Sequence, residues 1–287
     1  MLESLINPKR AEKGPWKMFF IGIIYASLSL LLVHWFFSGD AVLSKFSGIL
    51  VVTFCVMFSL PFMYYMIKTE KEEDEQVEGF FGIWRVHKDA IYGFVWLFLG
   101  FIIAFSFWHP VLQDSNLFNA QIKTYCMINN PGGDIEDCFV RYSPEEKSSY
   151  TGAATQGKRL FSIIENNVYV MIFTLIFSLL FGAGAIFVLA WNSSVISAAI
   201  GIFTEYQLIG IPIGLARYMI HGLPEILAYF ITALAGGIFG VGILKNGIKN
   251  PQFLRILENT IILLFVGIVI LIIAAFIEVY FTPLLFN

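Results

Sequence analysis

Long apolar runs that carry almost no charge are the feature that most constrains this chain. The hydrocarbon core of a bilayer is about 30 Å thick, so a helix of about 20 apolar residues crosses it. The runs are longer than barrel strands and do not alternate polar with apolar residues. We therefore predict an all-α, polytopic helical membrane protein with about seven transmembrane helices. The predicted spans are 18–37, 46–67, 90–113, 167–191, 195–216, 226–244 and 260–277.

The composition agrees with this class of protein. Only 14% of the 287 residues are charged, whereas a soluble domain carries about 25%. The hydrophobic fraction of 57% is too high for a disordered chain, and the net charge of −3 lacks the basic excess of a nucleic-acid-binding protein. We predict the lipid bilayer as a partner and no nucleic acid.

The fifth predicted span is interrupted. Residues 192–194 are expected to form the turn after the fourth span, and Glu205 and Pro212 then fall within 195–216. Non-helical backbone at membrane depth is tolerated only where protein or water satisfies its polar groups. Residues 195–220 are therefore predicted to form either one broken crossing or a re-entrant pair.

The distribution of basic residues predicts the orientation in the membrane. More of the 18 Lys and Arg residues fall in segments on the same side as the N-terminus than in the opposite segments. Because cytoplasmic loops carry this excess, we predict a plasma-membrane protein with a cytoplasmic N-terminus and an outside C-terminus. The re-entrant alternative would place Lys245, Lys249 and Arg255 outside, against the bias. No small-residue cleavage site lies near Phe37, so no cleavable signal peptide is expected.

A long polar segment, residues 114–165, lies outside in this topology and is expected to be partly helical. Cys126 and Cys138 flank an Asn-Asn-Pro-Gly-Gly turn at 129–133 within it. Two cysteines around a turn on the oxidising face fit a disulfide, and two free thiols are the alternative. Without accompanying histidines they do not indicate a zinc site.

Residues 68–89, between the second and third spans, begin with an acidic cluster. Val77, Phe80, Phe81 and Trp84 then recur at helical spacing. This pattern predicts a short amphipathic helix in the inner interface, which completes an N-terminal unit of residues 1–89. A docking surface for a cytosolic partner is the alternative role.

Arg217, His221 and Glu225 are spaced four residues apart beside the sixth span. Ionisable residues at membrane depth are costly and by default indicate a site. Pro224 is expected to place the helix start near Leu223, so that Glu225 caps the positive helix end. A functional polar pocket is the second interpretation and a metal site the third. No metal is predicted, because a catalytic zinc ion takes three protein ligands.

Other polar residues also lie near membrane depth. Glu205 and Gln207 fit either the lining of an ion or proton path or a segment edge near the surface. Asn166 and Asn167 open the fourth predicted span and Asn192 closes it. Asparagines at these positions typically cap helices or form hydrogen bonds between them.

Glycines are expected to let helices approach closely, within one chain or between two copies. The spacing Gly-x-x-x-Gly places two of them on one helix face. A homo-oligomer is therefore a predicted assembly. The residues are Gly182, Gly184, Gly236, Gly237 and Gly240.

Several of these Asn, Gly, His and Glu residues form a series of short motifs along the fourth to sixth predicted spans. An Asn pair opens a span, a Gly-x-Gly lies midway and an Asn closes it; His-Gly with a following Glu comes next, and then Gly-Gly. The positions are Asn166, Asn167, Gly182, Gly184, Asn192, His221, Gly222, Glu225, Gly236 and Gly237. This order resembles the stage II sporulation protein M family, of which His-Gly-x-x-Glu is the most specific element. The chain departs from the family at Ile220, where Pro is frequent, and at Pro224.

The resemblance covers residues 91–287 and implies a five-span core, 90–287, with a large outer loop after its first span. The first two spans then resemble an added hairpin of archaeal-type members. In sporulating bacteria the family member acts in a membrane complex that remodels peptidoglycan beside a hydrolase-type partner, and an archaeal-type member would lack that wall. The resemblance implies a non-enzymatic scaffold or partner subunit, without cofactor, among other envelope membrane proteins.

Two rival classes stay open. A permease or channel component would use a polar pathway around Glu205, His221 and Glu225. An intramembrane hydrolase would use His221 and Glu225. No phosphate-binding loop, dinucleotide fingerprint or Gly-x-Ser-x-Gly element occurs in the sequence.

Overall fold

The computed structural model describes residues 15–73, 80–129, 133–144, 156–181, 185–246 and 251–286. This part of the chain is helical and contains no strand. A π-helical turn, Ile277–Phe281, and a final α-helical turn, Thr282–Leu285, continue the last long helix. The main helices are α1 Lys17–Phe37, α2 Ser47–Glu73, α3 Phe80–Leu112, α4 Asn119–Asn129, α5 Ile135–Tyr142, α6 Gln156–Phe181, α7 Ala185–Phe203, α8 Ile211–Asn246 and α9 Pro251–Phe276.

Seven helices of the described chain are long and apolar enough to cross a membrane. They are α1, α2, α3, α6, α7, α8 and α9. Leu30, Val52, Phe98 and Ile186 are fully buried in the core that several of these helices share. Large apolar side chains remain exposed on the outer faces, as expected where lipid is the solvent. The prediction of an all-helical protein with seven spans is confirmed.

The predicted turn at residues 192–194 is wrong. Helix α7 runs without a break from Ala185 to Phe203, straight through the expected turn at 192–194. Asn192, Ser193 and Ser194 donate side-chain hydrogen bonds to backbone carbonyls one turn earlier, at 2.7 to 2.9 Å, so polar side chains at these positions are compatible with a helix. Helix α6 ends at Phe181 and α7 begins at Ala185, and residues 182–184 lie outside the described residues.

Residues 204–210 connect two crossings instead of breaking one. Glu205 and Tyr206 have φ angles of 50° and 57°, in the left-handed region that side chains rarely adopt. Two such residues in succession end α7 because a right-handed helix cannot continue through them. The chain then forms a short 3₁₀ turn, Leu208–Gly210, and enters α8.

The predicted helix start near Leu223 is also wrong. Helix α8 begins at Ile211 and has 36 residues, with Pro224 inside it. Proline removes one backbone hydrogen bond, a loss that transmembrane helices tolerate when neighbouring groups satisfy the freed carbonyl. Because the helix is continuous, Arg217, His221 and Glu225 share one face.

The segment between the second and third spans does not form a separate interfacial helix in the described residues. Helix α2 extends to Glu73, and residues 80–89 are the first turns of α3. Residues 74–79 lie outside the described part. The limit at 89/90 falls within α3, and the division into units 1–89 and 90–287 stays a prediction.

Residues 115–129 and 133–142, which contain α4 and α5, form a cap at one end of the spans. Leu117, Phe118 and Ile122 are buried against the helices. Gln121 donates hydrogen bonds to the Gly48 carbonyl at 2.9 Å and to Ser194 Oγ at 3.1 Å. The predicted outer segment 114–165 is thus partly helical and packed into the bundle, and its last ten residues belong to α6, which begins at Gln156.

The cap is held together covalently and by charge. Cys126 in α4 and Cys138 in α5 form a disulfide with their Cα atoms 6.0 Å apart. Lys123 and Glu136 also join the two helices through an ion pair of 2.6 Å. These links fix α5 on α4.

Glycines allow close helix contacts at two crossings. A Cβ atom on Gly236 or Gly240 of α8 would lie 2.8 or 2.7 Å from a backbone carbonyl oxygen of α6. A Cβ on Gly237 would meet no described atom within 4 Å. Gly22 of α1 and Gly100 of α3 form a second close contact, which the sequence reasoning missed. Gly182 and Gly184 lie outside the described residues.

Candidate functional site

A cavity of about 770 Å³ lies between α6, α7, α8 and the end of α9. The cap covers it, and Tyr125, Cys138 and Tyr142 are among the cap residues in its wall. Predicted polar residues from three helices also line it. They are Asn166, Asn167, Asn192, Arg217, His221 and Glu225. Positions far apart in the sequence therefore converge in one place.

A hydrogen-bonded chain connects α6 to α8 at one wall of the cavity. Asn167 Nδ2 donates to Glu225 Oε1 at 2.7 Å, and Tyr229 Oη donates to Asn167 Oδ1 at 3.0 Å. Asn166 Nδ2 lies 3.3 Å from the same Oδ1 atom. Asn167 is only 5% exposed. The asparagine pair lies a full three turns inside α6, so Asn167 joins two helices and does not cap one.

A second cluster involves the π-helical turn after α9. Glu278 lies in this turn, with one carboxylate oxygen 3.6 Å from Arg159 Nη2 and the other 4.0 Å from His221 Nε2. Both distances exceed a hydrogen bond. His221 Nδ1 is 3.4 Å from Thr282 Oγ1, which donates to the Ile277 carbonyl at 3.1 Å. Since π turns often occur at functional sites, this turn supports a role for Glu278.

Glu278 and Arg159 are cavity residues that the sequence reasoning missed. The carboxylate of Glu278 was predicted to end the seventh span, whereas the helical turns continue to Leu285. A glutamate with apolar residues on both sides, in the stretch Phe-Ile-Glu-Val-Tyr-Phe, was the available signal. Arg159 was counted only as a loop charge, although α6 begins three residues before it.

Arg217 ties the end of the chain to the cavity wall. Its Nη1 atom donates to the Phe286 carbonyl at 2.9 Å, and its guanidinium lies 4.5 Å from the centre of the Phe203 ring. Within the described residues, no carboxylate lies within 4 Å of Arg217. Arg217 is also one of the residues that line the cavity.

Two tyrosines, Tyr125 and Tyr142, line the cap side of the cavity together with the charged residues Asp134, Asp137 and Arg141. Burial, and to a smaller extent the neighbouring Tyr142, raise the pKa of Tyr125. Burial also raises the pKa of Tyr206, whose hydroxyl donates to the Tyr142 carbonyl. This hydrogen bond connects the end of α5 to the α7–α8 connection. The cap is thus attached to the spans at both of its helices.

Two predicted residues lie away from the cavity wall. Glu205 is exposed in the α7–α8 connection, so the structure does not bring it together with His221 and Glu225. Gly222 is buried against α7, where an added Cβ would make an ordinary contact of 3.5 Å with Ile196. Among the described residues, no group of three His, Cys, Asp or Glu side chains has the arrangement of a metal site.

Fold and site define the class: a multi-pass helical membrane protein with a capped polar cavity between its last four spans. The stage II sporulation protein M family model matches residues 52–283, and the chain belongs to this family. The match begins within α2, so it is wider than the 91–287 expected from the motif residues. No curated protein and no solved structure matches the chain.

Proposed function

We propose that this protein is a non-enzymatic partner subunit of a membrane complex in the cell envelope, with the cap and the cavity mouth on the outer face. The cap is the observation that carries the proposal. It is fixed by a disulfide and an ion pair, and it exposes apolar side chains at Met127 (57%), Ile135 (38%) and Val140 (45%). A rigid element with exposed apolar residues favours binding of another protein.

The geometry around His221 supports a non-enzymatic role. Thr282, His221 and Glu278 follow one another in the order of a nucleophile, a base and an orienting acid. The Thr282 hydroxyl lies closer to the Ile277 carbonyl, at 3.1 Å, than to His221 Nδ1, at 3.4 Å. The 4.0 Å between His221 and Glu278 is too long for the hydrogen bond that would orient the imidazole. Both contacts of His221 are therefore longer than the hydrogen bonds of an assembled triad, which supports the proposal of a non-enzymatic role.

Co-purification tests the proposal. The tagged full chain is isolated from its native membranes in gentle detergent, and bound proteins are quantified by mass spectrometry. We expect a stoichiometric envelope protein that is lost in Val140→Glu and Ile135→Glu. The matched control is Leu254→Glu, which places the same charge on a 68% exposed residue near the start of α9, at the opposite end of the spans from the cap. A protein that emerges without a stoichiometric partner, or one that keeps its partner in both cap variants, would refute the proposal.

One observation favours a permease component as the second candidate. Glu225 lies 14 residues after Ile211, or about 20 Å along α8 at 1.5 Å per residue, so the cavity penetrates deep between the spans. Flux of an ion or small solute into proteoliposomes, abolished in Glu225→Gln and kept in Glu205→Gln, would support this candidate. If proteoliposomes that contain the protein show no flux of any ion or small solute, the permease candidate is excluded.

A further inference from the structure

Three arginines line the cavity, and two of them, Arg159 and Arg217, make no ion pair shorter than 3.6 Å with a described residue. Arg159 Nη2 is 3.6 Å from the nearest Glu278 oxygen, and its buried Nε has no hydrogen-bond partner among the described residues. Arg217 has a backbone carbonyl and an aromatic ring as neighbours, with no carboxylate of the described chain in range. Guanidinium groups with spare donors bind carboxylate or phosphate oxygens well.

Four carboxylate residues line the cavity: Asp134 and Asp137 on the cap, and Glu225 and Glu278 on the spans, where each has few hydrogen-bond donors. Glu225 accepts one hydrogen bond, from Asn167. Glu278 accepts none within the described residues, since Arg159 and His221 lie 3.6 and 4.0 Å away. Each carboxylate can accept about four hydrogen bonds, and an ammonium group offers three donors.

These groups satisfy each other only in part: Arg159 and Glu278 form a long ion pair of 3.6 Å, and Arg217 has no carboxylate of the described residues within 4 Å. Arg159 lies on α6, Arg217 and Glu225 on α8, and Glu278 in the turn after α9. Buried charged groups that keep unused donors and acceptors at membrane depth are costly unless a bound group supplies the missing partners. A cavity of about 770 Å³ is within the range of small-molecule sites, about 300 to 1,000 Å³.

We propose that this cavity binds a small zwitterion. Its anionic group contacts Arg159 and Arg217, and its ammonium group contacts Glu278 and Glu225. A free solute and the phosphoethanolamine headgroup of a lipid carry this same chemistry. The inference goes beyond the partner-subunit role, since it concerns the cavity wall and not the exposed face of the cap.

Calorimetric titration of the full chain in detergent tests the charge requirement. The probes are O-phosphoethanolamine and glycine as zwitterions, ethanolamine as the cation alone, and inorganic phosphate as the anion alone. We expect at least one zwitterion to bind about tenfold or more tightly than either single-charge probe, because only a zwitterion satisfies both sets of groups. Binding of phosphate as tight as that of the zwitterions would overturn the proposal.

Variants locate the site on the cavity wall. Arg217→Gln and Glu278→Gln should each weaken zwitterion binding about tenfold or more. The controls Lys123→Gln and Glu136→Gln also remove one positive and one negative charge, but on the cap surface outside the cavity wall. They should leave zwitterion binding unchanged. Unchanged binding in both cavity variants would contradict the proposal. If a cavity variant fails to give a monodisperse protein, the comparison of probes on the unmodified chain still decides.

A reconstitution experiment with defined lipids distinguishes a free solute from a lipid headgroup as the ligand. The protein is reconstituted in phosphatidylcholine nanodiscs with or without phosphatidylethanolamine, and bound lipid is read by native mass spectrometry. Retained phosphatidylethanolamine that is lost in Glu278→Gln identifies the headgroup as the ligand. If neither lipid nor soluble zwitterion binds, the inference is wrong. Partner co-purification in the cap variants is independent of this result, so the two proposals fail separately.

Discussion

At the scale of single residues, the protein places amide and carboxyl groups where lipid offers them no partner. Asn167 provides hydrogen-bond partners for two such side chains, because its amide donates to Glu225 and accepts from Tyr229. Loss of the only hydrogen-bond partner of a buried polar group destabilises the folded protein by about 1–3 kcal/mol, because the desolvation of that group is no longer compensated. The hydrogen bonds of Asn167 are therefore expected to stabilise the α6–α8 contact.

Replacing Asn167 by Ala should lower the free energy of unfolding by about 1–3 kcal/mol, because Glu225 and Tyr229 both lose their contact with the amide. Thermal unfolding in detergent, followed by tryptophan fluorescence, measures the change. Asn166→Ala is the control, since Asn166 makes one longer contact of 3.3 Å and should change the transition less. Equal melting temperatures for the two variants would show that the hydrogen-bonded chain does not stabilise the fold.

At the scale of elements, contacts between helix backbones depend on glycines at particular turns. Gly236 and Gly240 bring α8 against carbonyl oxygens of Leu175 and Leu179, whereas Gly237 faces no described atom within 4 Å. Of these three neighbouring glycines, two have no room for a Cβ atom and the third has room for one. The length of an apolar run carries no information about this difference.

Gly240→Ala should destabilise the protein by about 1–3 kcal/mol, because its Cβ would overlap the Leu179 carbonyl oxygen and separate the two helices. Gly237→Ala should be neutral or slightly stabilising, since alanine favours the helix and has space. The yield of monodisperse protein and the melting temperature compare the two. A loss of stability in Gly237→Ala that matched Gly240→Ala would contradict this assignment of the helix contact.

The cap is the second element whose stability can be tested. Replacing Cys126 and Cys138 by Ser removes a link across a sequence separation of 12, worth about 3 kcal/mol in chain entropy. We expect faster hydrogen exchange over residues 119–142, while the cores of α3 and α7 stay protected. The Lys123→Gln variant, which removes only the ion pair, is expected to change exchange much less. Unchanged exchange in the double serine variant would show that packing alone holds the cap.

At the scale of the whole molecule, the described residues contain an odd number of candidate spans, seven, which predicts that the first and the last of them end on opposite faces of the membrane. The helices end at positions that differ from those predicted, but their number is the same. The basic residues therefore keep the sides that the sequence assigned to them, and the bias of Lys and Arg still favours a cytoplasmic N-terminus.

Reporter fusions test this orientation. A fluorescent protein that folds only in the cytoplasm should be bright at the N-terminus and dark at the C-terminus, and a periplasmic or extracellular enzyme reporter should show the opposite pattern. An insertion of the enzyme reporter between residues 145 and 155 should be active as well. The reverse pattern in all three fusions would place the cap and the cavity mouth on the cytoplasmic side.

The amino-acid sequence by itself determined the all-helical membrane class, the number of spans, seven, and most of the polar residues that line the cavity from the spans. These follow from bilayer thickness and from the cost of polar groups in hydrocarbon, which act on every residue locally. Sequence reasoning misplaced the ends of α7 and α8, because 166–204 is one stretch without charge and the actual stop depends on left-handed backbone at Glu205 and Tyr206.

Only the tertiary structure decided that the polar residues of three helices share one cavity. Continuity of α8 through Pro224 places Arg217, His221 and Glu225 on one face, and packing against α6 brings Asn167 within 2.7 Å of Glu225. Glu278 joins them through a π turn that no pattern of apolar residues indicates. Hydropathy reports how deep a residue lies in the membrane, whereas the rotation and contact of each helix depend on packing between helices.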